Sequence, residues 1–419
     1  MKKIFNITYL FLFALLLLSC QEQLTDLGNY NPYIGGSKKV TVTLEYPEGF
    51  EYEAKAGVKI TVANPVTGGR YDFLTNASGK ATIDLQHGFY RLSVTDKGAS
   101  IAGAIPIFNG GIDQMKVIES EEGDVNLTIP LTLSYAGQII IKEIYYRGCQ
   151  GPDGKNFNYD KYISFYNNSD QIAYLDSVCF GVVEPYNAPN KQVPWLSAEN
   201  PDQIRDTIPI IEAVWQFPGD GSTFPLQPGE EAIVALTAAI DHTILRPNSV
   251  NLDVPGYFVC YNQRYTNPSY HPSPGPNLSG RWLDLLWKEG PATAYPFSVS
   301  SPAPVIFRIP EVGAHEFVNN PENRSRKPGT TTATEYVMIP YSWVLDGVEC
   351  FDATTKFKRF PNSIDAGFGL LNTAGQGKVL HRRVDTEATA EAGGRVVYMD
   401  TNNSENDFEV RDVASIKVN

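Results

Sequence analysis

Apolar and polar residues alternate through Val40, Val42 and Leu44, and again through Val58, Ile60 and Val62, the period of a strand that buries one face. Turn-forming clusters at "TGG", "NASGK" and "QHGF" separate these runs, and "DVNLTIPLTLSY" adds a closing strand. A β-sandwich over residues 38–135 is therefore expected. From residue 136 the pattern changes. "AGQIIIKEIYYRG", "DKYISFYNNSDQIAYLDSVCFG" and "STFPLQPGEEAIVAL" carry denser apolar runs, punctuated by Asn167, Asn168 and Asp170 and by Pro228-Gly229. These read as strands with turns between them, and residues 136–419 as a second β-sandwich interrupted by long insertions. The fold class is all-β. Its 29 Pro, 35 Gly and 23 Tyr, with few long apolar helical stretches, fit strands and turns.

The first 37 residues follow neither pattern. Leu10–Leu18 is a run of nine apolar residues, against about 20 for a helix that crosses a bilayer. Lys2 and Lys3 precede it, and it ends in "LLSC", so residues 1–19 read as a secretory signal peptide. The stretch resembles the lipobox of bacterial lipoproteins, which implies that Cys20 becomes the first mature residue and carries lipid. Residues 20–37, polar and rich in Gly and Asn, read as a tether. Glu22 and Asp26 resemble the export signal that carries Bacteroidetes lipoproteins to the outside of the outer membrane. That resemblance implies a lipid-anchored, cell-surface location.

Two further resemblances bear on the sandwiches. The order "V.I.V......T..SGKA.I.L..G.Y.L.V" is similar to the carboxypeptidase-regulatory-like, prealbumin-like modules of secreted bacterial proteins, which implies a stalk or spacer. "YISFYNNSD", "IAYLDSVCF" and "L.PGE..IV", with the opening strand ending in Glu143, resemble the lamin-tail family, which implies an immunoglobulin-like sandwich. At 136–419 the segment far exceeds the length of that domain. The whole arrangement, including "GPNLSGRWLDLLWKEG" and "YMDTNNSENDFEVR", resembles an uncharacterised family of Bacteroidetes lipoproteins whose domain has no assigned function.

Charge and chemistry narrow the function more by exclusion than by assignment. The chain has 34 basic and 47 acidic residues. Without Lys2 and Lys3 the balance is 32 against 47, a formal −15, which disfavours a nucleic-acid partner. Cys149, Cys179, Cys260 and Cys350 either form disulfides, in any of three pairings, or are small apolar core residues. None has zinc-site spacing. His87, His242, His271, His315 and His381 stand singly and read as turn or surface residues. No zinc-protease, nucleophile-elbow or phosphate-loop motif is found, so no enzyme activity, metal or cofactor is expected.

Two stretches carry sharper expectations. "DTNNSEND" places Asp400, Asn402, Ser404 and Asn406 at alternate positions, as a calcium loop would. Glu405 stands where the turn Gly belongs and Arg411 where a bidentate Glu is needed, so a polar hairpin connection is the expected outcome. In "YFVCYNQRYTNPSYHPSPGPNLSGRWLDLLW", Tyr265, Tyr270 and Trp282 either form an exposed aromatic platform for a glycan or protein partner, or pack the insertion onto the sandwich. Together these readings imply a non-catalytic binding or assembly protein, an accessory to an outer-membrane nutrient transporter. The alternatives are an adhesin-like structural protein and a hydrolase with an unrecognised site.

Overall fold

The computed structural model describes residues 36–50, 56–98, 106–118, 123–190, 206–310 and 313–417, except residues 270, 292, 294 and 296. Cys20 and the rest of residues 1–35, with the expected signal peptide and nearly all of the tether, lie outside the described residues.

Eight strands make the first unit: β1 (Ser37–Glu45), β2 (Lys59–Ala63), β3 (Arg70–Leu74), β4 (Lys80–Gln86), β5 (Gly88–Lys97), β6 (Pro106–Val117), β7 (Val125–Pro130) and β8 (Thr132–Tyr135). They pair only among themselves, as a three-stranded sheet β4-β1-β7 and a five-stranded sheet β3-β2-β5-β6-β8. The alternation decides which side faces in. Along β4, Ala81, Ile83 and Leu85 are buried and every residue between them is exposed. Val40, Val42, Ile60, Val62, Leu92 and Val94 meet them in one core. The "NASGK" turn closes on Asn76, whose side chain accepts from the Ser78 N–H, with Gly79 at φ +66° where a side chain would be strained.

The second unit is built on two large sheets, with three two-stranded pairs beside them. One has six strands, in the order β14 (Phe258–Val259), β13 (Glu231–Ala235), β10 (Tyr162–Asn167), β9 (Ile139–Tyr145), β20 (Val379–Arg382), β21 (Phe408–Arg411). The other has seven, running β17 (Arg324–Arg326), β18 (Glu335–Pro340), β12 (Thr207–Gln216), β11 (Val178–Val183), β16 (Pro304–Arg308), β19 (Val344–Gly347), with β15 (Asp284–Lys288) also paired to β12. Ile141, Ile163, Phe165, Phe180, Trp215 and Val234 fill the space between them. The insertions then cover the outer faces. The short helix Ala314–Asn319 packs against β15. Phe317, Phe360 and Ile364 bury the far side of one sheet, and Val250, Leu252 and Leu278 that of the other.

Covering both faces explains why these strands lack alternation: all seven residues of β9 are buried, Lys142 and Glu143 included. Buried charges need partners. Lys142 donates to Glu231 at 2.7 Å, and Glu143 accepts from the Tyr162 hydroxyl and from Ser415. Arg382 sits at the centre, 2 % exposed, with Asp346 at 2.6 Å, Asp400 at 3.2 Å and Asp407 at 3.3 Å, and its Nε donating to the Ile141 carbonyl.

The placement of three histidines is corrected, and the choice for the cysteines is settled. His242, His271 and His381 are buried, not at turns or the surface. Each bonds a carbonyl, of Ala238, Cys260 and Arg382 respectively, and burial lowers each ring's pKa, for His381 to about 4. Residues 400–407 lie, as expected, in the connection between the antiparallel strands β20 and β21, and include the helical turn Ser404–Asp407, capped by Asn403. Cys149, Cys179, Cys260 and Cys350 are all buried and free, the apolar-core alternative.

Candidate functional site

The Tyr257–Trp287 insertion bridges the two sheets of the second unit. It enters as β14, parallel to β13, and leaves as β15, antiparallel to β12. Between them Asn262 builds a tight turn: its side chain accepts from the Arg264 N–H and its carbonyl from the Thr266 hydroxyl. The insertion's aromatic residues divide into two sets. Tyr261 and Trp287 are buried and do pack the insertion down. Tyr265 is 41 % and Trp282 38 % exposed. Tyr270 lies outside the described residues.

The exposed pair lines two adjoining depressions. The outer one, open and about 520 Å³, is walled by Trp282, Arg264, Gln263, Asp284 and, from below, Tyr261, which meets Trp282 edge-on at 5.0 Å. Burial raises the Asp284 carboxyl above its usual range. Asn262 and Leu285 are shared with the inner depression, a cavity of about 20 Å³ behind Tyr265. Its other walls are Glu212, Trp215, Tyr295, Thr266, Thr293 and Lys288. The Arg264 guanidinium lies 5.3 Å and the Lys288 ammonium 5.7 Å from the Tyr265 ring centre.

An irregularity in β12 creates the inner cavity. Its register slips against β11 between Phe180 and Val182 and against β15 between Val214 and Trp215. Glu212, in the bulged segment, has φ +67°, which is unusual for a side-chain-bearing residue. Burial pushes its carboxyl up to about 7, against the opposing pull of Lys288. Two donors beside it have no partner among the described residues: the Trp215 indole N–H and the Tyr295 hydroxyl, each in a residue 3 % exposed. An unmet buried donor costs about 1–3 kcal/mol, and the Tyr146 and Thr373 hydroxyls of the same unit likewise have no partner among the described residues. Nothing in "IIEAVWQ" announced this. Glu212 interrupts an apolar run, but only the fold brings Tyr295 beside Trp215.

Other charged regions are internally matched. A cleft of about 310 Å³ between the two units is lined by Arg70, Arg91, Arg383, Glu405 and Glu409. Arg70 pairs with Glu405, Arg383 with Glu409, and Arg91 with Asp113 while donating to the Lys356 carbonyl. The oxygens of "DTNNSEND" are likewise engaged. Asp400 holds Arg382 and the Gly137 N–H, Ser404 donates to Asp365, and the Asn402 amide donates to Ser134.

The fold is that of an all-β protein of two sandwiches with an insertion-built depression on the second. Residues 227–415 match a family described as protein of unknown function (DUF4876). The chain is also similar to the crystal structure of a DUF4876 family protein from Bacteroides thetaiotaomicron. The two are 26 % identical with a TM-score of 0.58, over 89 % of this chain and 94 % of that one. The resemblance to an uncharacterised Bacteroidetes family is thereby shown. A DUF3823 family protein from Parabacteroides merdae is 11 % identical over 36 % of this chain and 67 % of that one, with a TM-score of 0.18. A candidate adhesin from Bacteroides ovatus is 10 % identical over 65 % and 78 %, with a TM-score of 0.19. Scores this low carry no argument. No curated protein matches the chain.

Proposed function

We propose that this protein is a lipid-anchored outer-membrane component, held at the cell surface through Cys20, that binds or assembles and does not catalyse. Its contact surface is the depression at Trp282 and Tyr265, and its partner an outer-membrane transporter to which it hands a nutrient such as a glycan. The observation that carries this reading is the pair of large aromatic rings left about two-fifths exposed on a scaffold buried on both faces. Half-exposed Trp and Tyr with polar neighbours are a common contact chemistry. The lipobox-like "LLSC" supports the anchor. Among the described residues no helix is long and apolar enough to cross a membrane.

Two experiments test the reading. Cys20→Ala should move the protein from the membrane fraction to the soluble one, and wild-type protein that partitions into the aqueous phase of a detergent separation overturns the anchor. Affinity capture from detergent-solubilised membranes should recover an outer-membrane barrel with wild-type protein and lose it with Trp282→Ala and Tyr265→Ala. Each ring is about three-fifths buried, so both variants should lose about 1–3 kcal/mol and still melt cooperatively. Capture unaffected by both substitutions rejects the surface. Turnover of ester, peptide or glycan substrates by pure protein rejects the non-catalytic assignment.

A further inference from the structure

The cleft between the two sandwiches shares no lining residue with the Trp282 depression. One wall belongs to the first unit, with Ala63, Pro65 and Arg70 around the turn that joins β2 to β3. The other belongs to the second unit, with residues 368–370 and the edge strand β21. At about 310 Å³ it has the size of a small-molecule pocket, and boundaries between domains are where such pockets concentrate.

Its lining is of two kinds. Ala63, Pro65 and Leu370 are half-buried and Val410 is 44 % exposed, so apolar surface is open to an occupant. The charged side chains are all paired, but not one to one. Arg70 of the first unit bonds Glu405 of the second, and this pair spans the cleft from wall to wall. Arg383 lies 3.4 Å from Glu409, which also holds Arg411 at 2.9 Å. Three guanidinium groups therefore rest on two carboxylates, an excess of one positive charge. Arg91, also in the lining, is matched by Asp113. The Arg70 and Arg383 side chains are 40 % and 45 % exposed, and each bonds its carboxylate through one nitrogen, so further N–H groups face solvent.

Charge and surface together select the occupant. A cation would add to the excess, a small polar anion would leave the apolar wall wet, and a neutral hydrocarbon would leave the charge unanswered. A molecule with an apolar body and one carboxylate answers both. Its two oxygens match the fork of a guanidinium that now shares its carboxylate with a neighbour.

We propose that the cleft is a binding site for an amphipathic monocarboxylate. The apolar body lies along Pro65, Leu370 and Val410. The carboxylate accepts from Arg383, with Arg70 as the second donor. This site is independent of the Trp282 surface and would stand or fall without it.

The test uses the full chain with 13C-labelled leucine and valine methyl groups, the signals of Leu370, Val410 and Leu285 being assigned from Leu370→Met, Val410→Thr and Leu285→Met. The probes are decanoate, below the concentration at which it forms micelles, decyltrimethylammonium and acetate. Decanoate should shift Leu370 and Val410 saturably. Decyltrimethylammonium should bind at least tenfold more weakly, and acetate should leave both signals in place. Arg383→Gln, checked for an unchanged melt, should weaken decanoate about tenfold, as losing a hydrogen bond to a charged group does. Equal affinity for decanoate and decyltrimethylammonium, or undiminished affinity in Arg383→Gln, overturns the proposal, since the cleft then takes up apolar chains without reading their charge. Silence at Leu370 and Val410 also overturns it, and a shift at Leu285 in its place assigns the amphiphile to the Trp282 depression.

Discussion

The two sandwiches solve the same packing problem in different ways. In the first, strands such as β1 and β4 have a wetter face and a dry face, and much of the core is made of their alternate residues. In the second, both faces of both sheets are covered, so polar residues on the strands are trapped inside and must be matched. Arg382 with three aspartates, Lys142 with Glu231, and Arg359 with Glu349 are the outcome. The first design depends on burial of apolar area, the second on burial plus a set of internal ion pairs. Unmatched polar groups therefore mean more in the second, where the Trp215 indole N–H and the Tyr146, Tyr295 and Thr373 hydroxyls are among them.

The comparison can be broken at the ion pairs first. Arg382→Ala leaves Asp346, Asp400 and Asp407 buried without their cation and should destabilise the second sandwich by about 3–5 kcal/mol, the usual effect of removing one partner of a buried pair. Chemical denaturation should show a separate, earlier transition for that unit. A loss below about 1 kcal/mol would mean that water reaches the network.

A smaller effect is expected from separating the units. Residues 38–135 expressed alone should unfold cooperatively, because every member of their core comes from β1–β8 or the turns between them. They should be only modestly less stable than in the full chain, having lost peripheral bonds such as those from the Asn109 amide to the Thr401 carbonyl and from the Asn403 amide to Thr95. A non-cooperative melt would show that the first sandwich depends on the second.

The smallest effect is a slope. The Glu212 carboxyl is raised from 4.5 to about 7 by burial. Between those values the folded chain holds a proton that the unfolded chain has released, so stability falls as pH rises from about 4.5 to about 7 and levels off above. Asp365, raised to about 6, and Asp346 add slopes of the same sign. The measurement is therefore the difference between wild type and Glu212→Gln in melts across that range. The variant should gain on wild type as pH rises, and parallel curves would place Glu212 in contact with water.

How far the sequence revealed this molecule follows the same division. Alternation at Val40, Val42 and Leu44 is a local signal and gives a strand with a known inner face. The dense run at Ile139–Ile141 says buried, but not by what, since the core around it combines Ile163 and Phe165 with residues as distant as Leu380 and Phe408. The three interior histidines were misread for that reason: a lone His beside turn residues has no periodicity to betray its burial. Tyr265 and Trp282 were picked out by composition, and the fold left both exposed. Their companions Glu212, Trp215 and Tyr295 were not picked out, because a bulge in one strand and a tyrosine some eighty residues later share no local pattern.

The order of the six-stranded sheet has a consequence for anyone excising the matched segment, residues 227–415. The matched segment starts at residue 227, so it contains β13, β14, β20 and β21 but neither β9 nor β10, the two strands that lie between β13 and β20. A piece cut to those bounds holds the two ends of a sheet with its middle removed. It exposes two raw hydrogen-bonding edges that β9 and β10 would have occupied, the kind of edge that seeks pairing with other chains. The matched stretch is thus not an autonomous unit, and expression trials should retain the strands upstream of it.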